Sequence, residues 1–284
     1  MKIRRKPEWL QKRVSLGAHA DMERLLGDLQ LHTVCQEALC PNISECFRQK
    51  QATFLILGRV CTRLCTFCNM TKQVPGPLDS EEPMRVAAAV ARLQLAHVVI
   101  TSPTRDDLPD GGAEAYAATV REIRTAAPAT RIELLIPDLQ AKSEALGMVL
   151  AAVPDILGHN LETVPRLYAI RQGAEYRRSL SVLAGAHAMA PEIPTKSGLM
   201  LGLGETLDEV REVLADLRSV GCSYLSIGQY LAPSRQHQPV VEFVPPETFE
   251  QLRMEALQLG FAHVESGPYV RSSYHASSYG SRAV

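Results

Sequence analysis

The chain has 284 residues, 46% of them hydrophobic, with a formal net charge of −1 at pH 7. That is enough apolar material for one large α/β domain with a substantial core, since barrels commonly run past ~200 residues as single units. The small net charge gives no global field to attract nucleic acid or a membrane surface. No apolar run approaches the ~20 residues of a membrane span, and Pro7-Glu8-Trp9-Leu10-Gln11-Lys12 breaks the apolar stretch a signal peptide needs. Six of the seven cysteines fall within residues 35 to 68, too clustered for a disulfide framework. A cytoplasmic, reducing location that keeps them as thiols available for metal is expected, with no nucleic-acid or membrane partner.

Lys2, Arg4, Arg5, Lys6, Lys12 and Arg13 crowd the start. They read as a solvated basic arm, with a docking patch for an acidic partner as the alternative. Residues 21 to 39 read as a helical segment with Met22, Leu25, Leu26 and Leu29 near one stripe and Asp21 as its N-cap. That segment runs into Cys35, Cys40 and Cys46, in CQEALCPNISEC, where Pro41 stops any helix from carrying all three thiols on one face; they are expected on a turn.

A strand is expected over residues 53 to 58, and directly after it CTRLCTFC places Cys61, Cys65 and Cys68 within eight residues. A structural zinc site closes with four protein ligands, so three thiols are one short. Three thiolates on a short loop can hold three irons of a cubane cluster and leave the fourth iron open. From the residues alone a zinc knuckle or redox thiols remain alternatives for this loop. The two thiol sets together read either as one pooled zinc site or as two separate clusters.

Further apolar runs at 97 to 100, 132 to 136, 155 to 157, 199 to 201 and 224 to 227 alternate with helical stretches such as 84 to 95 and 207 to 220. Six βα units predict a partial (β/α)6 TIM-like barrel rather than a full eight-stranded one. The expected division is an N-terminal extension over 1–50, the barrel over 51–235 and a C-terminal extension over 236–284. In such barrels the chemistry gathers where strands end. After the second strand come Ser102 and RDDLPDGG, in which Gly111 and Gly112 let backbone approach a small ligand and Asp106, Asp107 and Asp110 offer acceptors; a surface turn is the other reading. After the fourth come Asn160 and Glu162, polar groups at the barrel mouth, with His159 discounted as structural. After the fifth come Gly198, Gly202, Gly204 and Glu205, which do not match the dinucleotide fingerprint. Cys222 reads as a small buried hydrophobe. Composition alone makes Arg271-Ser272-Ser273-Tyr274 a polar tail with no metal role.

The CTRLCTFC loop, with Phe67 just before its last thiol, resembles the radical S-adenosylmethionine (SAM) enzymes, in which SAM chelates the open iron and is cleaved reductively to a deoxyadenosyl radical. The pair of thiol sets in this order, with KPEWL, RDDLPDGGA, HNLETVPRLY, TKSGLMLGLGET, GQYLAPS and SGPYVRSSYHA following in sequence, is similar to the lipoyl synthase family over nearly the whole chain. That resemblance implies two 4Fe–4S clusters. The radical cluster would lie on Cys61, Cys65 and Cys68, and a sacrificial sulfur-donating cluster on Cys35, Cys40, Cys46 and Ser273. It implies SAM contacts at Phe67, Ser102, Asp110, Gly111, Gly112, Asn160, Glu162, Gly202 and Glu205. The implied activity is sulfur insertion, a sulfurtransferase reaction, at two unactivated carbons (C6 and C8) of an octanoyl group on a carrier protein. Such bonds offer acid–base and nucleophilic side chains nothing to act on. Implied partners are an octanoylated lipoyl-domain or H-type carrier protein, a one-electron donor such as flavodoxin or ferredoxin, and a cluster-assembly protein. Phe47, Pro103-Thr104, Gln172 and Ser223 depart from the usual family pattern and leave room for a paralogous sulfurtransferase acting on another acyl carrier. A non-enzymatic zinc or iron–sulfur protein is the alternative from another class.

Overall fold

The computed structural model describes residues 6–11, 20–49 and 51–279. Of the basic arm only Lys6 is among them; Lys2, Arg4, Arg5, Lys12 and Arg13 lie outside the described residues. The expected helix over 21 to 39 is instead three elements. Helix α1 (Ala20–Asp28) closes at Gln30, whose φ of 52° lets Leu31 N–H bond back to Leu26 O at 2.8 Å. A two-residue strand, β1 (His32–Thr33), follows, then a single helical turn, α2 (Val34–Glu37). Asp21 lies inside α1, which is already helical at Ala20, so it is not the N-cap. The expected apolar stripe is present in α1, where Met22, Leu25 and Leu26 are buried; a left-handed cap on a glutamine carries no sequence signal.

After helix α3 (Ile43–Arg48) the sheet proper begins: β2 (Thr53–Leu55), β3 (His97–Thr101), β4 (Arg131–Leu135), β5 (Ile156–Gly158), β6 (Thr195–Leu201), β7 (Tyr224–Gln229) and β8 (His263–Gly267). Strands β2 to β8 pair in sequence order and all parallel, with β1 antiparallel on β2. The sheet is open, in agreement with the expected partial barrel. The six predicted strands are β2 to β7; β1 and β8 extend the sheet at its two edges, β8 beyond residue 235. Crossovers run through α4 (Glu82–Leu93), α5 (Ala113–Ala126), α6 (Ser143–Ala151), α7 (Tyr176–Met189), α8 (Leu207–Ser219) and α9 (Pro246–Gln258). Strand residues such as Val98, Ile100, Ile132, Leu134, Ile156, Leu157, Leu225 and Ile227 are buried, as expected where helices cover a parallel sheet. Helix α8 buries the predicted Val210, Val213, Leu214 and Leu217, and Thr206 with Glu209 forms a capping box at its start. Helix α4 begins earlier than predicted because Pro83 fits its first turn. That places the Glu82 carboxylate 2.7 Å from Leu57 N, at the base of the cysteine loop.

The lumen holds a charged layer near the N-terminal ends of the strands. Lys196 Nζ donates to Glu133 Oε1 at 2.9 Å, His97 Nε2 lies 3.4 Å from Glu133 Oε2, and Tyr279 places its ring 3.6 Å from Lys196 Nζ. Burial alone would raise the Glu133 carboxyl; the Lys196 ammonium, with His97, holds it below the usual carboxylate range. The C-terminal segment is thereby drawn across the barrel floor, where Tyr279 OH also donates to Leu225 O. Lys196→Met should cost ~3–5 kcal/mol in urea unfolding because it strands the Glu133 charge, while Lys196→Met with Glu133→Leu should recover most of it. Equal losses in the single and double variants would show that the pair is not what holds this layer.

Candidate functional site

The open edge of the barrel lies between the β1–β2 pair and β8, and the first thiol set collects there. Cys35 sits in α2, Cys46 in α3 and Cys40 on the turn between them. The three are therefore not all on a turn as expected; Pro41 separates two short helices whose sides bear the outer thiols. Cys35, Cys40 and Cys46 line one cavity of about 300 Å³ together with Thr53, His97, Arg271 and Ser273. Ser273 reaches it from the far end of the chain. Its Oγ accepts from Thr53 Oγ1 at 2.7 Å, Asn42 Nδ2 donates to Tyr269 O at 2.7 Å, and Tyr274 OH donates to Glu45 Oε1 at 3.1 Å. Burial, and then Cys40, push the Cys35 thiol up to about 11.

The second thiol set sits on the loop after β2, at the opposite end of the strands from Tyr279. Cys61 N bonds Thr71 O at 2.8 Å, Thr62 N bonds Thr104 O at 3.0 Å, Thr66 N bonds Ile170 O at 2.9 Å and Lys72 Nζ donates to Cys65 O at 2.9 Å. Inside the loop, buried Arg63 donates to both oxygens of Asp138, at 2.5 and 2.9 Å, and to both of Asp106, at 2.7 and 3.0 Å. Burial would raise the Asp138 carboxyl, but Arg63 and Arg178 hold it well below the usual range. The loop is thus clamped through a paired buried charge. Burial pushes the Cys68 thiol up to about 12, with Cys65 and Cys61 adding to the rise, and raises Cys65, which Arg171 partly opposes. Such thiols are protonated at neutral pH, so metal loading must displace protons. Among the described residues no three His, Cys, Asp or Glu side chains converge on a point that a single ion could occupy. In the first set the three thiols and Ser273 line one cavity, a donor set around a volume that suits a polynuclear guest.

The proposed SAM contacts divide. Asn160 and Glu162 lie next to the loop's mooring: Asn160 Nδ2 donates to Glu162 Oε1 at 3.0 Å, and Leu161 O accepts from Arg171 Nη1 at 3.0 Å beside Ile170, whose carbonyl holds Thr66 N. Burial pushes the Glu162 carboxyl up, against Arg171 and Asn160. Phe67 is half-buried within the loop. Ser102 is half-buried, its Oγ accepting from Tyr116 OH at 2.9 Å. The acceptors of RDDLPDGG are taken by the protein: Asp106 by Arg63, Asp107 by Arg105, and Asp110 by Gly112 N and Glu114 N at 2.9 Å each, at the start of α5. Glu205 likewise folds back on Gly202 N and Leu203 N, at 2.5 and 2.9 Å. Gly202 is needed for packing, since a Cβ there would meet Gln229 Nε2 at 2.2 Å. Cys222 is fully buried, as read.

Gly111 and Gly112 have φ of 64° and 93°, and a Cβ on Gly112 would lie 2.3 Å from Leu57 Cδ1. Gly112 therefore packs its loop against the base of the cysteine loop, while a Cβ on Gly111 would meet Leu139 Cδ2 at 3.1 Å. Gly112→Ala is expected to cost ~2–4 kcal/mol, from left-handed backbone strain plus overpacking, read as a lower melting temperature. A melt unchanged within about a degree would mean that Leu57 yields freely.

Arg63, Asp138, Thr53 and Arg171 were not picked out from the sequence. Arg63 stands inside the cysteine motif, so the motif itself was the available signal, but its partner lies 75 residues away. Among the described residues no helix is long and apolar enough to cross a membrane.

The family model for the Radical SAM superfamily matches residues 55–217. A lipoyl synthase of Geotalea uraniireducens (strain Rf4) is 70% identical over 280 residues, covering 99% of each chain. One from Geobacter metallireducens is 67% identical over 279 residues, covering 98% of this chain and 99% of that one. Among solved structures, methylornithine synthase matches with a TM-score of 0.55 at 13% identity over 86% of this chain and 77% of that one. HydG, a maturase of the FeFe-hydrogenase, matches with a TM-score of 0.56 at 13% identity over 75% of this chain and 57% of that one. At such identity these two speak for the fold alone.

Proposed function

The chain belongs to the lipoyl synthase family of the radical SAM superfamily, and on that premise we propose how its own residues divide the work of sulfur insertion. It is a sulfurtransferase that uses SAM and 4Fe–4S chemistry, acts on an octanoylated carrier protein and needs a reductant. When bound, one cluster with SAM supplies a hydrogen-abstracting radical and a second supplies sulfur to C6 and C8 of the octanoyl chain.

In this reading Cys61, Cys65 and Cys68 hold the radical cluster, and Arg63 keeps their loop in one geometry through Asp106 and Asp138. Asn160 and Glu162 orient SAM beside it, with Phe67, Ser102, Gly111, Gly112 and Gly202 shaping the pocket wall. Asp110 and Glu205 act on the pocket through the loops they brace. Cys35, Cys40, Cys46 and Ser273 hold the second cluster. A hard serine oxygen among soft thiolates is weakly matched to iron, which suits a cluster that must be dismantled. The observation that carries this division is the convergence of Ser273 with three thiols more than 220 residues away on one cavity at the barrel's open edge. In this reading the described parts of the extensions 1–50 and 236–284 meet there, adding the edge strands β1 and β8 to a 51–235 barrel.

The carrier is a lipoyl domain or H-type protein, the electron donor a flavodoxin or ferredoxin, and a cluster-assembly protein restores the spent cluster, all in the cytoplasm. The deciding experiment incubates the anaerobically reconstituted protein with reductant, SAM and an octanoylated lipoyl-domain peptide, followed by mass spectrometry. Two added sulfurs are expected. Deoxyadenosine formed without sulfur transfer, in protein carrying both clusters, would overturn the assignment, as would zinc without sulfide in the reconstituted protein.

A further inference from the structure

The two cysteine sites lie on different elements, yet one side chain touches both neighbourhoods. Asn160 is 9% exposed and uses both hydrogens of its amide nitrogen: one toward Glu162 Oε1 at 3.0 Å and one toward Ser272 Oγ at 2.6 Å. Glu162 follows Leu161, whose carbonyl accepts from Arg171 Nη1 at 3.0 Å, and the carbonyl of the adjoining Ile170 accepts from Thr66 N of the Cys61–Cys68 loop at 2.9 Å. Ser272 directly precedes Ser273, whose hydroxyl lies in the first cavity against Thr53. The barrel wall is cut away for this contact, since a Cβ on Gly198 would meet Asn160 Oδ1 at 2.8 Å and Ser226 Oγ at 2.9 Å. Glu162 is held in the left-handed region, φ 67°, by bridging β6 on both sides: its N–H bonds Gly198 O at 2.9 Å and its carbonyl accepts from Met200 N at 2.8 Å. Backbone in that region persists only where its surroundings over-determine it, so Glu162 and Asn160 form a fixed unit on the β6 wall.

We propose that Ser272 is a positioning residue which couples the two cluster sites: through Asn160 it ties the segment carrying Ser273 to Glu162, which adjoins the mooring of the Cys61–Cys68 loop. The inference rests on the function proposed above, in which Asn160 and Glu162 orient SAM. With the Ser272 hydroxyl absent, one amide hydrogen of a nearly buried asparagine loses its acceptor, and the asparagine turns to find another. The donor that fixes Glu162 turns with it. In the other direction, a C-terminal segment released from the first cavity carries Ser272 away from Asn160. Coupling of this kind is reciprocal, so occupancy of the first cavity by its cluster strengthens SAM binding at the second site, and SAM stabilises the seated segment to the same extent.

The test reads SAM affinity by equilibrium dialysis in two anaerobic preparations of known iron and sulfide content. One carries both clusters; the other carries the Cys61 loop cluster alone, obtained with Cys35, Cys40 and Cys46 all changed to Ala. In the native background SAM should bind about fivefold tighter when both clusters are present, the ~1 kcal/mol of one hydrogen bond at ~1.4 kcal/mol per decade. Ser272→Ala and Ser272→Gly, which keep Ser273, should bring the two-cluster affinity down to the single-cluster value. Ser272→Thr, which keeps a hydroxyl, should restore the difference. Native affinity indifferent to the second cluster would overturn the coupling, as would Ser272→Ala protein with both clusters binding SAM as tightly as the native. Failure of the single-cluster protein to bind SAM at all, or of the native chain to take up a second cluster, would instead strike at the functional reading itself.

Discussion

Cys35→Ala or Cys40→Ala is expected to abolish sulfur incorporation while deoxyadenosine formation at saturating SAM continues close to its native rate. Cys35 is 8% exposed and shares one cavity with Cys40, Cys46 and Ser273. The loop at Cys61 to Cys68 is moored elsewhere, to Thr71, Thr104 and Ile170. Removing one thiol leaves two and a weakly matched serine oxygen. The loss should therefore exceed the ~10–100-fold that removing an outer partner of a metal ligand costs. The readout is paired: dithiol product by mass spectrometry and deoxyadenosine by chromatography, in the same reaction. Parallel loss of both products, in protein whose Cys61 loop still carries its iron and sulfide, would count against two centres with separate tasks. Ser273→Ala is expected to follow the same pattern less severely, because three thiols remain.

Cys65→Ala should stop both outputs. Its thiol lies between Cys61 and Cys68, under the fields of Arg171 and Glu162, and two thiols leave the cubane a corner short. SAM cleavage needs the electron delivered there, so deoxyadenosine should fall to background together with product. The first site should still load, which iron and sulfide analysis would show as roughly half the native content. Deoxyadenosine persisting in the Cys65→Ala protein would sink the assignment of this loop. Arg63→Met gives a graded counterpart. It frees the loop and strands Asp138 beside Arg178 alone, so ~3–5 kcal/mol of stability should be lost with every thiol still present.

The division between what could be read and what could not follows particular residues. The CTRLCTFC loop was legible because short-range spacing fixes how many thiols can reach one small object. The alternation of β2 to β7 with helices was legible because apolar periodicity is local. Strand β8 was missed because His263, Glu265 and Ser266 make a poor strand pattern, and its pairing with β7 depends on a neighbour supplied by the fold. The single helix expected over 21 to 39 failed on Gln30, whose left-handed conformation has no compositional mark. Asp110 and Glu205, which the family resemblance implies as SAM contacts, accept backbone N–H groups of their own loops, a pairing that shows only once the loops are folded.

By itself the sequence determined the chemistry available to this protein: two sets of three thiols, an open parallel α/β framework, and motifs that place it among the radical SAM enzymes. Tertiary structure alone decided which distant groups meet. It brought Ser273 to Thr53, Asn160 to Ser272, Arg63 to Asp138 and Lys196 to Glu133, across separations of 220, 112, 75 and 63 residues. The physical reason is range. Thiol spacing and helical periodicity act within a few residues, whereas a hydrogen bond or ion pair between remote side chains exists only once burial of the strands has closed the loops between them.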